Sequence, residues 1–318
     1  MIKSITIREI PISLRQPFVT ALRTVTSYPV IQVEIEQDTG EIGVGECVAT
    51  PQISGDSHEE ILAQLESLKG LKELTPDSLT ALLPSTRAAI DLALWNTKNK
   101  YPSVSIKTDV TIPIAPLTEI PKLVKERLDS GFSSFKVKVT ESPLADLGAR
   151  IDLIRECAGG DVLIRIDPNQ AWQVRYARQA AVALGESGAN IEYIEQPLAK
   201  SDLAGHVELA KESPIPLMAD ESCFSLSDLD RILESGAFSY LNVKILKAGG
   251  ITPALKLAKL AQGAGLKVSI GSMMEGELGI KAAIYLAHEI APNEIHDLDA
   301  AWWFSASTIR YQGSTVSS

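Results

Sequence analysis

Short β-rich runs alternating with helix-length amphipathic stretches predict an α/β chain. The architecture expected is a (β/α)8-type, modified TIM barrel with an N-terminal α+β capping domain. Three observations carry this. From about residue 104, eight such runs follow one another at βα spacing. Before residue 50 the pattern is instead apolar–polar alternation, as in an antiparallel sheet. The length of 318 residues suits one large barrel and a smaller domain, and a 45% apolar fraction with few aromatics suits a core of branched aliphatic side chains.

In the first domain, expected over 1–103, Ile5 and Ile7 and then Val30, Val33 and Ile35 mark two strands. Between them, Arg15 to Pro29 reads as a polar loop too long for a tight hairpin, and such loops are often functional. Gly43-Val44-Gly45 reads as a turn. Residues 57–100 read as helical, with Ile61, Leu62, Leu65 and Leu68 at helical spacing and a second set at Ala88, Ile90, Ala93 and Leu94.

The barrel, expected over 104–300, takes its eight strands from Val110–Ile114, Phe135–Val139, Val162–Ile166, Ile191–Ile194, Pro216–Ala219, Tyr240–Val243, Lys267–Ile270 and Glu294–Leu298. A doubly wound sheet is the structural alternative, but no glycine-rich phosphate turn follows an early strand. Residues 301–318, with Trp302 and Trp303, are too few for a domain and are expected to pack back on the cap.

Composition narrows the functional classes. A net charge of −10 and the lack of Lys/Arg runs argue against nucleic acid, and no apolar stretch is long enough to span a membrane. The start, Met1-Ile2-Lys3-Ser4-Ile5, reads as strand rather than signal peptide. Cys47, Cys157 and Cys223 form no CxxC pair and read as reduced thiols, so a cytoplasmic location is expected. His58, His206, His288 and His296 lack metal-ligand spacing and read as structural.

A barrel places its active site at the C-terminal ends of its strands. Six of the eight runs end in charge there: Lys136 and Lys138; Asp167 with Asn169; Glu195; Asp220 with Glu221; Lys244 followed by Lys247; Asp297 and Asp299. Three carboxylates on adjacent strands, Asp167, Glu195 and Asp220, without His or Cys, favour Mg²⁺. Lys138 and Lys244 stand on opposite sides of them. Lys136, two residues from Lys138, shares its strand face. A neighbouring ammonium and a cation would draw a lysine pKa from ~10.4 toward ~7–8, a gap of roughly 3 units or about 4 kcal/mol. Such a base, with a cation on the substrate carboxylate, suits removal of an α-proton.

This constellation resembles the enolase superfamily, in its muconate-lactonizing-like subgroup, over essentially the whole chain. The resemblance rests on the K-x-K pair, the D-x-N, E-Q-P and A-D-E-S motifs, and N-V-K-x-x-K-x-G-G. It also rests on spacings of 29, 28, 25 and 24 residues from Lys138 through Asp167, Glu195 and Asp220 to Lys244. It implies that Lys138 and Lys244 are the acid/base pair, supported by Lys136. It further implies that Asp167, Glu195 and Asp220 bind one Mg²⁺ per subunit, backed by Asn169 and Glu221.

Within the subgroup the chain is most similar to dipeptide epimerases. Asp297-Leu298-Asp299 is the distinguishing feature, since that family's D-x-D pair binds the α-ammonium of the dipeptide. Ser272 and Met273 are implied as further substrate contacts. Arg23, in Phe18-Val19-Thr20-Ala21-Leu22-Arg23-Thr24-Val25, resembles the arginine that meets the glutamate side chain in L-Ala-D/L-Glu epimerases. Glu277 departs from that pattern: if it faced the pocket, it would oppose an anionic side chain. The implied partner is a small dipeptide, with a homo-oligomer left open, and an Ala-Glu substrate would place the activity in cell-wall peptide recycling. The alternatives are epimerisation of cationic or hydrophobic dipeptides, an o-succinylbenzoate synthase, an N-acylamino-acid racemase, or a decayed binding protein.

Overall fold

The computed structural model describes residues 1–21 and 23–318. The chain opens with an antiparallel sheet of β1 (Ile2–Val19), β2 (Thr24–Gln37) and β3 (Ile42–Cys47), in that order. Helices α1 (His58–Leu68), α2 (Pro76–Thr80) and α3 (Pro84–Lys98) follow. Val33 and Ile35 of β2 bury with Ile61 and Leu65 of α1 and Ala89 and Ala93 of α3 in one apolar cluster. Ser57 starts α1 with a capping box: its side chain accepts from Glu60 N while the Glu60 carboxylate accepts from Ser57 N.

Two local readings are corrected here. Gly43-Val44-Gly45 is strand, not turn; a Cβ at Gly43 or Gly45 would strike the backbone of Ala93 or Ala89, so the glycines let α3 lie directly on β3. Residues 15–29 are mostly strand as well. β1 and β2 pair up to Val19↔Thr24, past a register shift between Ser13 and Phe18. The segment is a two-stranded ribbon with alternating exposure, so its polar residues are no obstacle to pairing. Thr20 N donates to Arg23 O (3.0 Å) across the tip.

The barrel begins with β4 (Ser105–Thr108) and β5 (Val110–Ile112), then α4 (Ile120–Asp129), β6 (Ser134–Lys138), α5 (Leu144–Ala158) and β7 (Leu163–Asp167). It continues with α6 (Val174–Glu186), β8 (Ile191–Glu195), α7 (Leu203–Glu212), β9 (Leu217–Ala219), α8 (Leu226–Ser235) and β10 (Tyr240–Lys244). The last units are α9 (Ile245–Ala248), α10 (Ile251–Gly263), β11 (Lys267–Gly271), α11 (Glu277–Ile290) and β12 (Ile295–His296). Strands β5 to β11 form one parallel sheet in sequence order. β12 completes the ring, pairing with β4 in parallel while Asp297 bridges Gly271 at the end of β11.

The residues after 300 divide rather than pack on the cap as one piece. The 3-10 turn Ala300–Trp303 leads into Phe304, which bridges Leu14, and Ser305 N donates to Ser13 O (2.9 Å). Beyond it, β13 (Arg310–Gln312) and β14 (Thr315–Ser317) form a hairpin, and β14 pairs with β4 on the side that β12 does not use. That pairing satisfies an edge of the barrel's first strand. The cap is clamped to the barrel through α3. Arg87 Nη2 donates to Ala248 O (3.0 Å), and Asp91 Oδ2 accepts from Thr252 N (2.9 Å). Between those contacts Gly249 and Gly250 take positive φ (81° and 135°), and a Cβ on Gly250 would strike Asp91. No helix among the described residues is long and apolar enough to cross a membrane.

Candidate active site

The parallel strands carry their charged residues at one rim, at or just past their C-terminal ends. Lys136 and Lys138 stand two residues apart on β6 and both reach Asp167 Oδ2, at 3.0 and 2.6 Å. Lys136 Nζ also lies 2.8 Å from Glu195 Oε2 and 2.7 Å from Asp297 Oδ2, so it links β7, β8 and the residue after β12. Lys138 Nζ donates to Asn169 Oδ1 (3.0 Å), and Asn169 Nδ2 donates to Glu221 Oε1 (3.3 Å). On the far side, Lys244 Nζ lies 2.7 Å from Asp220 Oδ2 and Lys247 Nζ lies 2.6 Å from Asp220 Oδ1. All of these groups are buried.

Asn242 and Gln196, to which the motifs gave no role, and Lys247, read only as the charge following Lys244, hold this floor in place. Asn242 Nδ2 donates to Glu195 Oε1 (2.9 Å). Lys247 Nζ also donates to Asn242 O (3.2 Å). Gln196 Oε1 accepts from Asp220 N (3.0 Å) and Ser222 N (2.9 Å), which ties the end of β8 to the end of β9. Gln196 (φ 36°), directly after β8, and Asn169 (φ 46°), two residues past the end of β7, sit at positive φ, a strain that the packed floor sustains. The signal was present in E-Q-P and N-V-K-x-x-K, whose uncharged and second charged positions are the ones now seen to brace the site.

Charge in the floor is unevenly shared. Burial works against the Asp220 carboxylate, but Lys244 and Lys247 outweigh it and hold its pKa well below the usual range. Asp297 is likewise held down to about 2, because Lys136, Lys244 and Lys138 overcome its burial. Glu195 goes the other way, pushed up to about 8 by burial and the repulsion of Asp167, Asp220 and Asp297, despite Lys136 beside it. Glu221 rises to about 7 from burial and the nearby Asp220 and Asp167. The lysines differ from the expected depression. Burial disfavours charge on Lys244, yet Asp220 at 2.7 Å outweighs it and lifts the pKa above the ordinary lysine value. Lys136 is raised well above it too, by Asp167, Asp297 and Glu195 against its burial. Direct pairing with carboxylates is the physical reason: the sequence reading weighed only the neighbouring cations.

The donor set suits a hard cation. Asp167, Glu195, Asp220 and Glu221 give four buried carboxylates, with the ammoniums of Lys136, Lys138, Lys244 and Lys247 around them. Glu221 Oε2 is buried without a hydrogen-bond partner among the described residues. Every candidate ligand atom is oxygen. Among the described residues no three acidic, His or Cys side chains already converge as a metal centre, because lysine ammoniums stand between the carboxylates.

Above the floor lies a cavity lined by Lys138, Lys244, Asn169, Asp297 and Asp299 from the barrel. Ser272, Met273 and Met274 line it from the segment after β11. Phe18, Thr20 and Arg23 reach it from the tip of the β1–β2 ribbon, and Gln52 and Ile53 from the cap. Lys136, Asp167, Glu195, Asp220 and Glu221 lie among the buried groups of the floor rather than in this lining. Arg23 is half-buried, and burial lowers its pKa; among the described residues no carboxylate pairs with it. Glu277 is outside the cavity: its Oε1 accepts from Ser307 Oγ (2.9 Å) and Thr308 N (2.5 Å) at the start of α11. Two of the histidines are buried in hydrogen bonds away from the cavity. His296 Nδ1 accepts from Ile270 N (3.0 Å), and His206 Nδ1 lies 2.7 Å from Asp202 O. The three cysteines are free.

Comparison with known proteins now gives this arrangement a lineage. Residues 2–108 match the family "Mandelate racemase / muconate lactonizing enzyme, N-terminal domain", and residues 119–314 match "Enolase C-terminal domain-like". The chain belongs to the enolase superfamily. It is 32% identical to the L-Ala-D/L-Glu epimerase of Bacillus subtilis, across 97% of this chain and 92% of the relative. A solved structure of that enzyme in a substrate-liganded complex superposes with a TM-score of 0.90 at 32% identity, covering 98% of this chain and 95% of the other. The hydrophobic dipeptide epimerase of Enterococcus faecalis is 31% identical over 97% of this chain and 93% of its own length. A dipeptide epimerase structure from that organism, complexed with Mg and L-Leu-L-Tyr, gives a TM-score of 0.85 at 30% identity, covering 99% of this chain and 96% of that one. The N-succinyl-L-Arg/Lys racemase of Bacillus cereus is 30% identical over 90% of this chain and 84% of the relative. Enolase-superfamily relatives of this kind are racemases and epimerases, and this chain is an isomerase of the same group.

Proposed function

We propose that this enzyme epimerises dipeptides at the α-carbon of the C-terminal residue by 1,1-proton transfer, with L-Ala-D-Glu and L-Ala-L-Glu as its preferred pair. The observation that carries the reading is one cavity lined by two lysines from well-separated strands, a D-x-D pair and an arginine with no carboxylate partner among the described residues: Lys138, Lys244, Asp297, Asp299 and Arg23. In this reading Asp297 and Asp299 take the α-ammonium, and Arg23 takes the side-chain carboxylate of the second residue. Ser272 and Met273 shape the wall between them. The substrate α-carboxylate points to the floor. Asp167, Glu195 and Asp220 would hold Mg²⁺ there, with Asn169 and Glu221 bracing them. When bound, the ion would supply Lewis-acid stabilisation of the charge that builds on that carboxylate as the α-proton leaves.

The lysines divide the proton transfer. One takes the α-proton from one face, and the other, as its ammonium, returns a proton to the opposite face. Their roles exchange when the reaction starts from the other epimer. Lys244 Nζ lies 2.7 Å from Asp220 Oδ2, a contact that favours its ammonium form. Its turn as base requires its contact with Asp220 to loosen. Lys136 stays cationic within its three carboxylates and keeps the floor assembled.

Position at the start of α11, bonded to Ser307 and Thr308, removes Glu277 as an objection to an anionic side chain. A second reading, preference for hydrophobic dipeptides, is favoured by Phe18, Ile53, Met273 and Met274 in the lining. Turnover of L-Ala-Glu would connect the enzyme to recycling of cell-wall peptide. The test is incubation of the Mg²⁺-loaded enzyme with a dipeptide library in D₂O, read by mass spectrometry. Each epimerised member gains one deuterium, and the Ala-Glu members are expected to lead. An unlabelled library, with dehydration to o-succinylbenzoate or racemisation of N-acylamino acids instead, would overturn the reading.

A further inference from the structure

The ammonium site and the specificity ribbon share one side chain. Trp303 is fully buried at the end of the 3-10 turn that follows Asp299. Its Nε1 donates to Asp299 Oδ2 (2.9 Å), alongside Thr111 N (2.7 Å). Both bonds end on the same oxygen, which sets the rotation of the carboxylate about its terminal torsion, a torsion that is otherwise broad. The other face of the contact is Phe18, whose ring meets the Trp303 indole edge-on with centroids 4.9 Å apart. Phe18 is near the tip of the ribbon that carries Arg23 and lines the same cavity. Lower down, that strand is tied to the chain just past Trp303, through the Leu14–Phe304 bridge and the Ser305 N to Ser13 O bond.

We infer that Trp303 is a positioning residue: it fixes the Asp299 carboxylate for the substrate ammonium and couples that carboxylate to the Phe18 face of the specificity ribbon. This rests on the reading of Asp299 as an ammonium ligand. The indole does not touch the reacting atoms; it acts through Asp299. Asp299 needs such help because burial and the nearby Asp297 both favour its neutral form, and the two N–H donors oppose them. A neutral or rotated carboxylate would lose the charge-assisted contact with the ammonium, while contacts to the rest of the substrate would remain.

The test uses the Mg²⁺-loaded full chain and two ligands. L-Ala-L-Glu carries the ammonium. N-propionyl-L-glutamate has the same outline without it and serves as a competitive inhibitor. Trp303→Phe keeps a buried ring against Phe18 and removes the donor. A second variant places benzothienylalanine at 303, which preserves the indole shape and lacks the N–H, so a packing defect in the first is separated from loss of the bond. The expected result for both is a KM for L-Ala-L-Glu raised about tenfold, kcat within about twofold, and an unchanged inhibition constant for N-propionyl-L-glutamate. Equal weakening of both ligands, or no change in KM with the benzothienyl variant, overturns the inference. Asp299→Asn is run in parallel. If it leaves KM unchanged, the ammonium reading itself fails; if it raises KM while both 303 variants do not, only the role of Trp303 fails.

Discussion

At the barrel mouth four lysine ammoniums reach four carboxylates at 2.6–3.0 Å, all of them buried. The capping region buries charge differently. Glu46 of β3 is 2% exposed, accepts from Gly279 N (2.8 Å), and has no cation paired with it among the described residues. Arg23, at the ribbon tip, is half-buried with no carboxylate paired to it among the described residues. The difference separates two tasks. A floor that moves protons keeps many charges mutually compensated, so removing one member strands the others. The cap leaves single charges without a paired ion among the described residues, and each can be changed with a local effect.

The largest effect expected follows from breaking the floor. Chelation should abolish turnover and Mg²⁺ should restore it. Asp220→Asn should mimic chelation, since it removes a ligand charge and also the partner that holds Lys244. Full activity of metal-depleted enzyme would show that the carboxylates serve the lysines alone.

The ribbon tip should respond by selectivity rather than collapse. Arg23→Met is expected to raise KM for L-Ala-L-Glu by about 10- to 100-fold, while turnover of L-Ala-L-Leu stays within about twofold. Steady-state kinetics on both dipeptides checks this. Equal losses on both would mean that Arg23 shapes the ribbon instead of reading the substrate. Better turnover of dipeptides with a cationic second residue than of Ala-Glu would likewise contradict the assignment of Arg23.

How far the sequence alone reached follows the same division. Lys138, Asp167, Glu195, Asp220 and Lys244 were legible because a parallel strand leaves its last residues at a defined rim, and runs of Val and Ile mark where strands end. The ribbon at 15–29 was not, because two largely exposed strands that pair mainly with each other carry the polar composition of a loop. The bracing roles of Asn242, Gln196 and Lys247 were hidden for another reason: hydrogen bonds between strands depend on which strands are neighbours, and local sequence does not state that. The raised Lys244 pKa escaped for the same cause, since Asp220 lies 24 residues away on the adjoining strand.

Smaller effects sharpen the contrast. Burial pushes the Glu46 carboxyl up to about 7, above the usual carboxylate value of 4.5. Between those values the folded protein binds more protons than the unfolded chain, so the contribution is fully present below pH 4.5 and is lost as pH rises through 7. Glu46→Gln removes that titration. Its melting temperature should therefore fall less than the parent's between pH 5 and pH 8, by calorimetry at matched ionic strength. An identical slope would show that Glu46 is compensated after all. The smallest effect is expected at Glu277, whose partners are Ser307 and Thr308. Glu277→Gln should leave kcat/KM for L-Ala-L-Glu within about twofold, and a large gain would return Glu277 to the pocket.

The central claim is that Lys138 and Lys244 serve opposite faces of one α-carbon. α-Proton exchange in D₂O, followed by NMR for Lys138→Ala and Lys244→Ala with each epimer supplied separately, tests it most directly. Each variant should lose net epimerisation by about 10³-fold or more. Each should still exchange the α-proton of one epimer only, and the two variants should choose different epimers. Epimerisation at the parent rate by either variant, or exchange of the same epimer by both, would contradict a two-lysine mechanism.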